Sequence, residues 1–391
     1  MSKTRIWRIA GLALATAVVA AACSSSGATT APTTGAQSDA PSEAAGTPAA
    51  SPATGGTAIP TPPAGDITLQ GAGATFPAPL YQSWFETYSG LYPNIKIDYQ
   101  AVGSGAGIKA ITQQTVDFGA SDAPMKDDEI SALPSGTKII HIPTALGAVV
   151  VIFNLPGVTT LNLDAQNVAD IFLGNITSWN DPKIAANNPG ATLPDTPILV
   201  VHRSDGSGTT NAFTTYLAAV SPDWNAKVGA GKEVDWPTGI GAKGNDGVAG
   251  GVQQNQGGVG YVELNYATQA QIPAANVKNA DGKFVAGSTA GVTSAAEAAA
   301  ADWPADGRQD PIINGPGADT YPIASYTFLL VYQDQADATK AEALVAFIAW
   351  ALTDGQASEE SLGYAPLPAP VQEKALASLH TITAGGSPVW P

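Results

Sequence analysis

The sequence predicts an α/β protein of two doubly wound lobes, and three observations carry that expectation. Strand-like and helix-like patterns alternate along almost all of residues 66–391. Two runs, GAVVVIFN (147–154) and PILVV (197–201), are apolar but for the closing Asn154, as strands covered on both faces are. The stretch Asp66–Pro391 is also long enough to build two cores.

DITL (66–69) reads as a short strand. GAGATFPAP (71–79) then leads to Leu80, Trp84, Phe85 and Tyr88 at helical spacing, with Pro77 suited to a first helical turn. IKIDY (95–99) alternates as a strand, and VGSGAG (102–107) interrupts before Ile108 and Ile111 resume a helix. VDFGAS (116–121) completes a βαβαβ unit and ends at Asp122. KIIHIPT (138–144) and GAVVVIFN are expected as two strands, the second of them central, and DAQNVADIF (164–172) as a helix. PILVV runs through HRSDGSGTT (202–210) into an amphipathic helix marked by Phe213, Tyr216, Leu217 and Val220. The Gly-rich stretch 236–263 holds loops, a short helix and the strand VGYVE. SYTFLLVY (325–332) is a strand and KAEALVAFIAWAL (340–352) a helix. No internal repeat is evident, which argues against a solenoid.

The start of the chain has a different logic. Lys3, Arg5 and Arg8 precede an uncharged run, Ile9–Ala22, too short to span a bilayer, so residues 1–22 are expected to be a signal peptide. Ala20, Ala21 and Ala22 before Cys23 fit a lipobox, in which Cys23 is lipidated and becomes the mature N-terminus. As the only cysteine, it cannot form an internal disulfide. Residues 23–65 are then a lipidated cysteine and a disordered Ser/Thr/Ala/Pro/Gly tether, too poor in large apolar groups to fold. As a coil it would span roughly 35 Å. Removing Lys3, Arg5 and Arg8 takes the formal charge from −16 to −19, which argues against nucleic-acid binding and polybasic membrane contact. An anion would have to be held by local hydrogen bonds, against the global field.

Three loops share one construction: strand, Gly/Ser/Thr turn, helix. They are GAGAT (71–75), GSGAG (103–107) and SDGSGTT (204–210). A helix N-terminus offers unpaired N–H groups and partial positive charge, glycine lets backbone approach a ligand, and hydroxyls add donors. For any one loop a simple helix cap is the simpler account. Three together, one of them beside Arg203 with its bidentate donors, point to a tetrahedral oxyanion. Neither a dinucleotide fingerprint nor a Walker lysine is present, and G-x-S-x-G is absent. His141, His202 and His380 lack metal-type spacing, and His202 is expected to pack facing away from Arg203. No nucleophile–base–orienter set assembles, so the chain is expected to be no enzyme and to need no metal or cofactor.

GAGATFPAPLY (71–81), YQAVGSGAG (99–107), VDFGASDAP (116–124), HRSDGSGTT (202–210), WPTGIGAKGNDGV (236–248) and GVGYVE (258–263) occur in this order. With them the chain resembles the PstS family of phosphate-binding proteins. These are extracytoplasmic receptors of bacterial phosphate ABC importers and members of the periplasmic-binding-protein superfamily (type II). The resemblance implies phosphate contacts from Thr75, the Phe76 N–H, Ser104, Arg203, Ser207, Gly208 and Thr209. It implies that Asp122 is the acceptor and that Asp205 orients Arg203 or touches the ligand. Where the family often has a second serine this chain has Gly105, so no side-chain contact is expected there. Phosphate near neutral pH still carries a proton to give to Asp122, whereas sulfate does not, so the carboxylate would discriminate between them.

The resemblance further implies lobe I at 66–145 plus 326–391 and lobe II at 146–325. A two-segment hinge near Leu146 and Ser325 would close them on phosphate. It implies a lipid-anchored monomer on the outer face of the cytoplasmic membrane that docks on the permease subunits. The alternatives are a receptor for arsenate, which is protonated like phosphate, and an extracellular phosphatase. The latter lacks a nucleophile or metal ligands at suggestive spacing.

Overall fold

The structure, a computed structural model, describes residues 59–390. The expected signal peptide, Cys23 and the tether up to residue 58 lie outside the described residues. The tether's last residues are fastened, because the Asn94 side chain donates to the Pro63 and Gly65 carbonyls at 3.1 and 2.8 Å.

β1 (Ile67–Gly73) pairs in parallel with β2 (Ile95–Ala101) on one side and β3 (Phe118–Ser121) on the other. Helix α1 (Ala78–Leu91) begins after Pro77, whose missing N–H costs nothing at a helix start. It buries Leu80, Tyr81, Trp84, Phe85 and Tyr88, the stripe its spacing predicts. Helix α2 (Ser104–Thr112) corrects the sequence expectation. The interruption after β2 is only Val102–Gly103, with Gly103 at φ +99°, and Ser104–Gly107 already forms the first helical turn.

β4 spans Ile139–Phe153 as one strand where two were expected. Pro143 does not break it because the pairing with Ile323–Tyr332 shifts register there. Ala145 faces Thr327, Pro143 faces Phe328, and Thr144 between them is left out of the ladder. A residue without an N–H is tolerated at such a bulge. The Thr144 hydroxyl lies 2.7 Å from Tyr81 OH instead.

The main sheet runs in the order β2, β1, β3, Ile323–Tyr332, β4, Gly258–Glu263, Leu199–Arg203, Ile240–Ala242. Strand Ile323–Tyr332 is antiparallel to β3 and β4, and β4 is antiparallel to Gly258–Glu263. Outside this central pair the strands of each flank are parallel to one another. Two parallel halves therefore flank two long crossing strands, both buried almost throughout. Leu146 and Ser325, the expected hinge positions, lie on these strands and pair with Tyr326 and Gly147. Helix Ala338–Ala351 has little polar face, and its run Ala343–Ala351 is wholly buried, packed on the β1 side. Among the described residues no helix is long and apolar enough to cross a membrane.

Candidate oxyanion site

The parallel strands of both halves end at one place. β1 runs into Ala74–Pro77, β3 into Asp122, Leu199–Arg203 into Ser204–Ser207, and Ile240–Ala242 into Lys243–Gly244. Carboxyl ends of strands in open α/β sheets are where ligands bind, because the following turns expose backbone N–H groups there. Among the described residues the N–H groups of Phe76, Ser104 and Thr209 have no hydrogen-bond partner. Ser104 and Thr209 lie in the first turns of α2 and of helix Gly208–Val220, where N–H groups have no intrahelical acceptor.

The three loops are tied together. The Gly208 N–H donates to Ser104 Oγ at 3.0 Å, and the Gly105 N–H to the Gly206 carbonyl at 2.9 Å. A Cβ on Gly105 would lie 3.1 Å from Gly206 Cα, so glycine there lets the second loop meet the third. A Cβ on Gly208 would fall 2.5 Å from Asp122 Cβ, so only glycine admits Asp122 to this wall. Thr75, Ser104, Arg203, Ser207 and Thr209 are all buried. Ser207 is also a helix cap, since its Oγ accepts the Thr210 N–H at 3.1 Å. The cap and anion readings are compatible, because capping uses the oxygen and leaves the proton free. The Phe76 ring is buried, and the Thr75 carbonyl accepts from Tyr266 OH, which turns the Phe76 N–H of the same trans peptide the other way.

Asp122 is the acceptor in this group. It is 2% exposed; Thr327 Oγ1 donates to its Oδ1 at 2.9 Å and Ser104 Oγ lies 3.4 Å from its Oδ2. Ser325 Oγ donates to its carbonyl at 3.1 Å. Burial pushes its carboxyl up to about 7, even though Thr327, Arg203 and Ser104 favour the ionised form. The sequence reading had Asp122 ionised at neutral pH.

Opposite it, the Arg203 side chain is 1% exposed and forked onto Asp205, with Nε–Oδ1 at 2.7 Å and Nη2–Oδ2 at 2.6 Å. The Gly244 N–H adds a third donor at 3.1 Å. Burial pushes the Asp205 carboxyl up, but Arg203 and this N–H outweigh it and hold the group below the usual carboxylate range. Asp205 thus aims Arg203, whose remaining N–H groups face away from that fork. His202 stacks on Trp236 at 4.8 Å and 13°, a packing role. A cleft of about 710 Å³ opens beside Arg203 and Asp205, lined by Lys232, Glu233 and Trp236 among others. Among the described residues no group of His, Cys, Asp or Glu is arranged to hold a metal ion.

The sequence reading assigned no role to Asn245, Thr327 or Lys232, and to Ser325 only a place near the hinge. Asn245 is fully buried and bonded to Thr75 and Thr209. Ser325 and Thr327 carry a visible signal: they are hydroxyls in an otherwise apolar strand. Lys232 pairs with Glu129 at 2.6 Å, and Arg308 with Asp127 at 2.6 Å, each between the segments expected to form opposite lobes.

Comparison with known proteins shows the family and the fold. The model of the PBP superfamily domain matches residues 26–355. Phosphate-binding protein PstS of Pasteurella multocida is 42% identical over 83% of this chain and 93% of its own length. That of Methanocaldococcus jannaschii is 39% identical over 81% and 86%. Phosphate-binding protein PstS 2 of Mycobacterium tuberculosis is 33% identical over 84% and 91%. Among solved structures, a high-affinity periplasmic phosphate-binding protein bound with phosphate is 25% identical. It superposes with a TM-score of 0.64 over 80% of this chain and 93% of that one.

Proposed function

This chain belongs to the PBP superfamily and, within it, to the PstS phosphate-binding proteins, and from that premise we propose that it captures inorganic phosphate outside the cytoplasm. It delivers the anion to the permease of an ABC importer. The observation that carries this reading is Asp122, a buried carboxylate among the donor loops, with the hydroxyls of Thr327 and Ser104 on its oxygens. Donors alone would suit any oxyanion. One acceptor among them suits an oxyanion that brings a proton, so phosphate fits and sulfate leaves an oxygen facing an oxygen. The residues in contact are Thr75, Phe76 through its N–H, Ser104, Asp122, Arg203, Ser207, Gly208 and Thr209, with Asp205 holding Arg203.

Capture proceeds by hinge closure of two lobes, residues 66–145 plus 326–391 against 146–325, about the paired positions Leu146–Tyr326 and Gly147–Ser325. The ion pairs Lys232–Glu129 and Arg308–Asp127 bridge those lobes in the closed form. The chain works as a monomer, held at the outer face of the cytoplasmic membrane through lipid on Cys23, with the tether giving reach. It acts as a binding protein without catalysis. Titration calorimetry with phosphate, arsenate and sulfate tests the reading. Tight binding of phosphate with sulfate at least ~10³-fold weaker is expected, and equal affinity for sulfate would overturn it.

A further inference from the structure

Asn245 sits in the first turn of helix Gly244–Gln254 and is fully buried. Its Oδ1 accepts the Glu263 N–H at 3.1 Å. A backbone N–H has one polarity only, so the other end of this amide is the NH2. That NH2 donates to Thr75 Oγ1 at 2.9 Å and to Thr209 Oγ1 at 3.2 Å, and the Asn245 backbone N–H donates to Thr75 Oγ1 at 3.2 Å. A hydroxyl has two lone pairs and one proton. Both lone pairs of Thr75 are taken, so what its hydroxyl has left to offer the site is its proton; Thr209 has one lone pair taken and keeps the other besides its proton.

We propose that Asn245 is the positioning residue that fixes the donor polarity of the site, an inference that rests on the phosphate reading above. It holds the Thr75 hydroxyl as a donor only and takes up one acceptor position of Thr209, without touching the ligand. Thr75 follows β1 and Thr209 opens the helix after Arg203, so one amide aligns hydroxyls from both halves of the sheet. The consequence concerns specificity. The Thr75 corner of the site accepts only bare oxygens, which leaves the corner at Asp122 for the protonated one. The bound anion has one orientation, with its proton at Asp122. Ligands presenting a donor to Thr75, such as polyols or amides, find no acceptor there and are rejected.

Two variants test this. Asn245→Leu has nearly the same shape and no donors. Asn245→Asp keeps the acceptor for the Glu263 N–H but turns the NH2 into an oxygen, which draws both hydroxyl protons away from the ligand. Calorimetry should find phosphate affinity down ~30-fold for Asn245→Leu and ~100-fold or more for Asn245→Asp. In a Thr75→Val, Thr209→Val background, Asn245→Leu should cost less than ~3-fold more, because its action runs through those hydroxyls. A merely structural residue would multiply its full cost onto that background, and this result would overturn the proposal. So would variants within ~3-fold of the parent chain. If neither variant folds, NMR of the parent chain decides: the Asn245 side-chain NH2 signals should shift and sharpen on adding phosphate, and unmoved signals would count against it. A parent chain that binds no phosphate overturns both this inference and the functional reading; normal parent binding with unaffected variants overturns this inference alone.

Discussion

On one wall of the site Asp122 sits among hydroxyls of Ser104 and Thr327, and on the other Asp205 is clamped by the Arg203 guanidinium. Both are carboxylates beside an anion site, yet burial lifts Asp122 to about 7 whereas Arg203 keeps Asp205 below its ordinary range. The difference is one of partner charge. Hydroxyls supply protons but no charge and do not repay desolvation, whereas a bidentate guanidinium does. Asp205 is therefore neutralised within the protein, and its wall presents positive donors. Asp122 is left wanting a proton, and a protonated oxyanion can provide it.

The largest expected effect comes from breaking the paired wall. Arg203→Met leaves Asp205 as a buried, unpaired negative charge facing the ligand, at a cost of about 3–5 kcal/mol. Calorimetry should find phosphate affinity lower by ~10³-fold or more, and a loss under tenfold would mean that Arg203 does not hold the anion. Asp122→Asn attacks the other wall and should separate binding from stability. Phosphate binding above pH 7 should weaken by ~30-fold while sulfate binding rises, since an amide donates where the ionised carboxylate accepts. The ligand-free chain should become more stable at pH 8, by up to ~4 kcal/mol from the lift of Asp122 from 3.8 to about 7. Unchanged selectivity in calorimetry would sink the acceptor role.

The two walls should also answer pH in opposite directions. Asp122's value is raised on folding, so the stability it contributes is fully present below its ordinary 3.8 and is lost as pH rises through about 7. Asp205's value is depressed, so its contribution is present above the ordinary value and is lost as pH falls through the lowered one. Denaturation of the ligand-free chain from pH 4 to 8 should therefore show the gain from Asp122→Asn growing steadily from pH 4 and levelling off above about 7, and a gain independent of pH would contradict this. The smallest effect lies outside both walls. Lys232→Met removes the partly exposed pair with Glu129, worth about 1 kcal/mol. Stopped-flow release of phosphate should quicken ~5-fold at low salt and little at high salt.

The βαβαβ start, the three strand–turn–helix loops and the buried strands were legible because each depends on neighbours a few positions away. Alternation, helical spacing and Gly/Ser turns are local properties. Residues singled out in those loops do meet: Ser104 touches Gly208 and Asp122, and Arg203 reaches Asp205. The fusion of β4 was not legible, since Pro143 looks like a break until the bulge opposite Thr327 and Phe328 absorbs it. Nor was Asn245, a polar residue in a Gly-rich stretch, until the fold brought it to Thr75, 170 positions away.

By itself, then, the sequence determined the α/β class, the donor loops and the presence of a carboxylate and an arginine near them. Only the tertiary structure decided what those groups are electrically. Thr327 reaches Asp122 across 205 positions, and the packing around both excludes water. Proton affinity depends on that exclusion and on the partners it leaves, and neither is written in the order of residues along the chain.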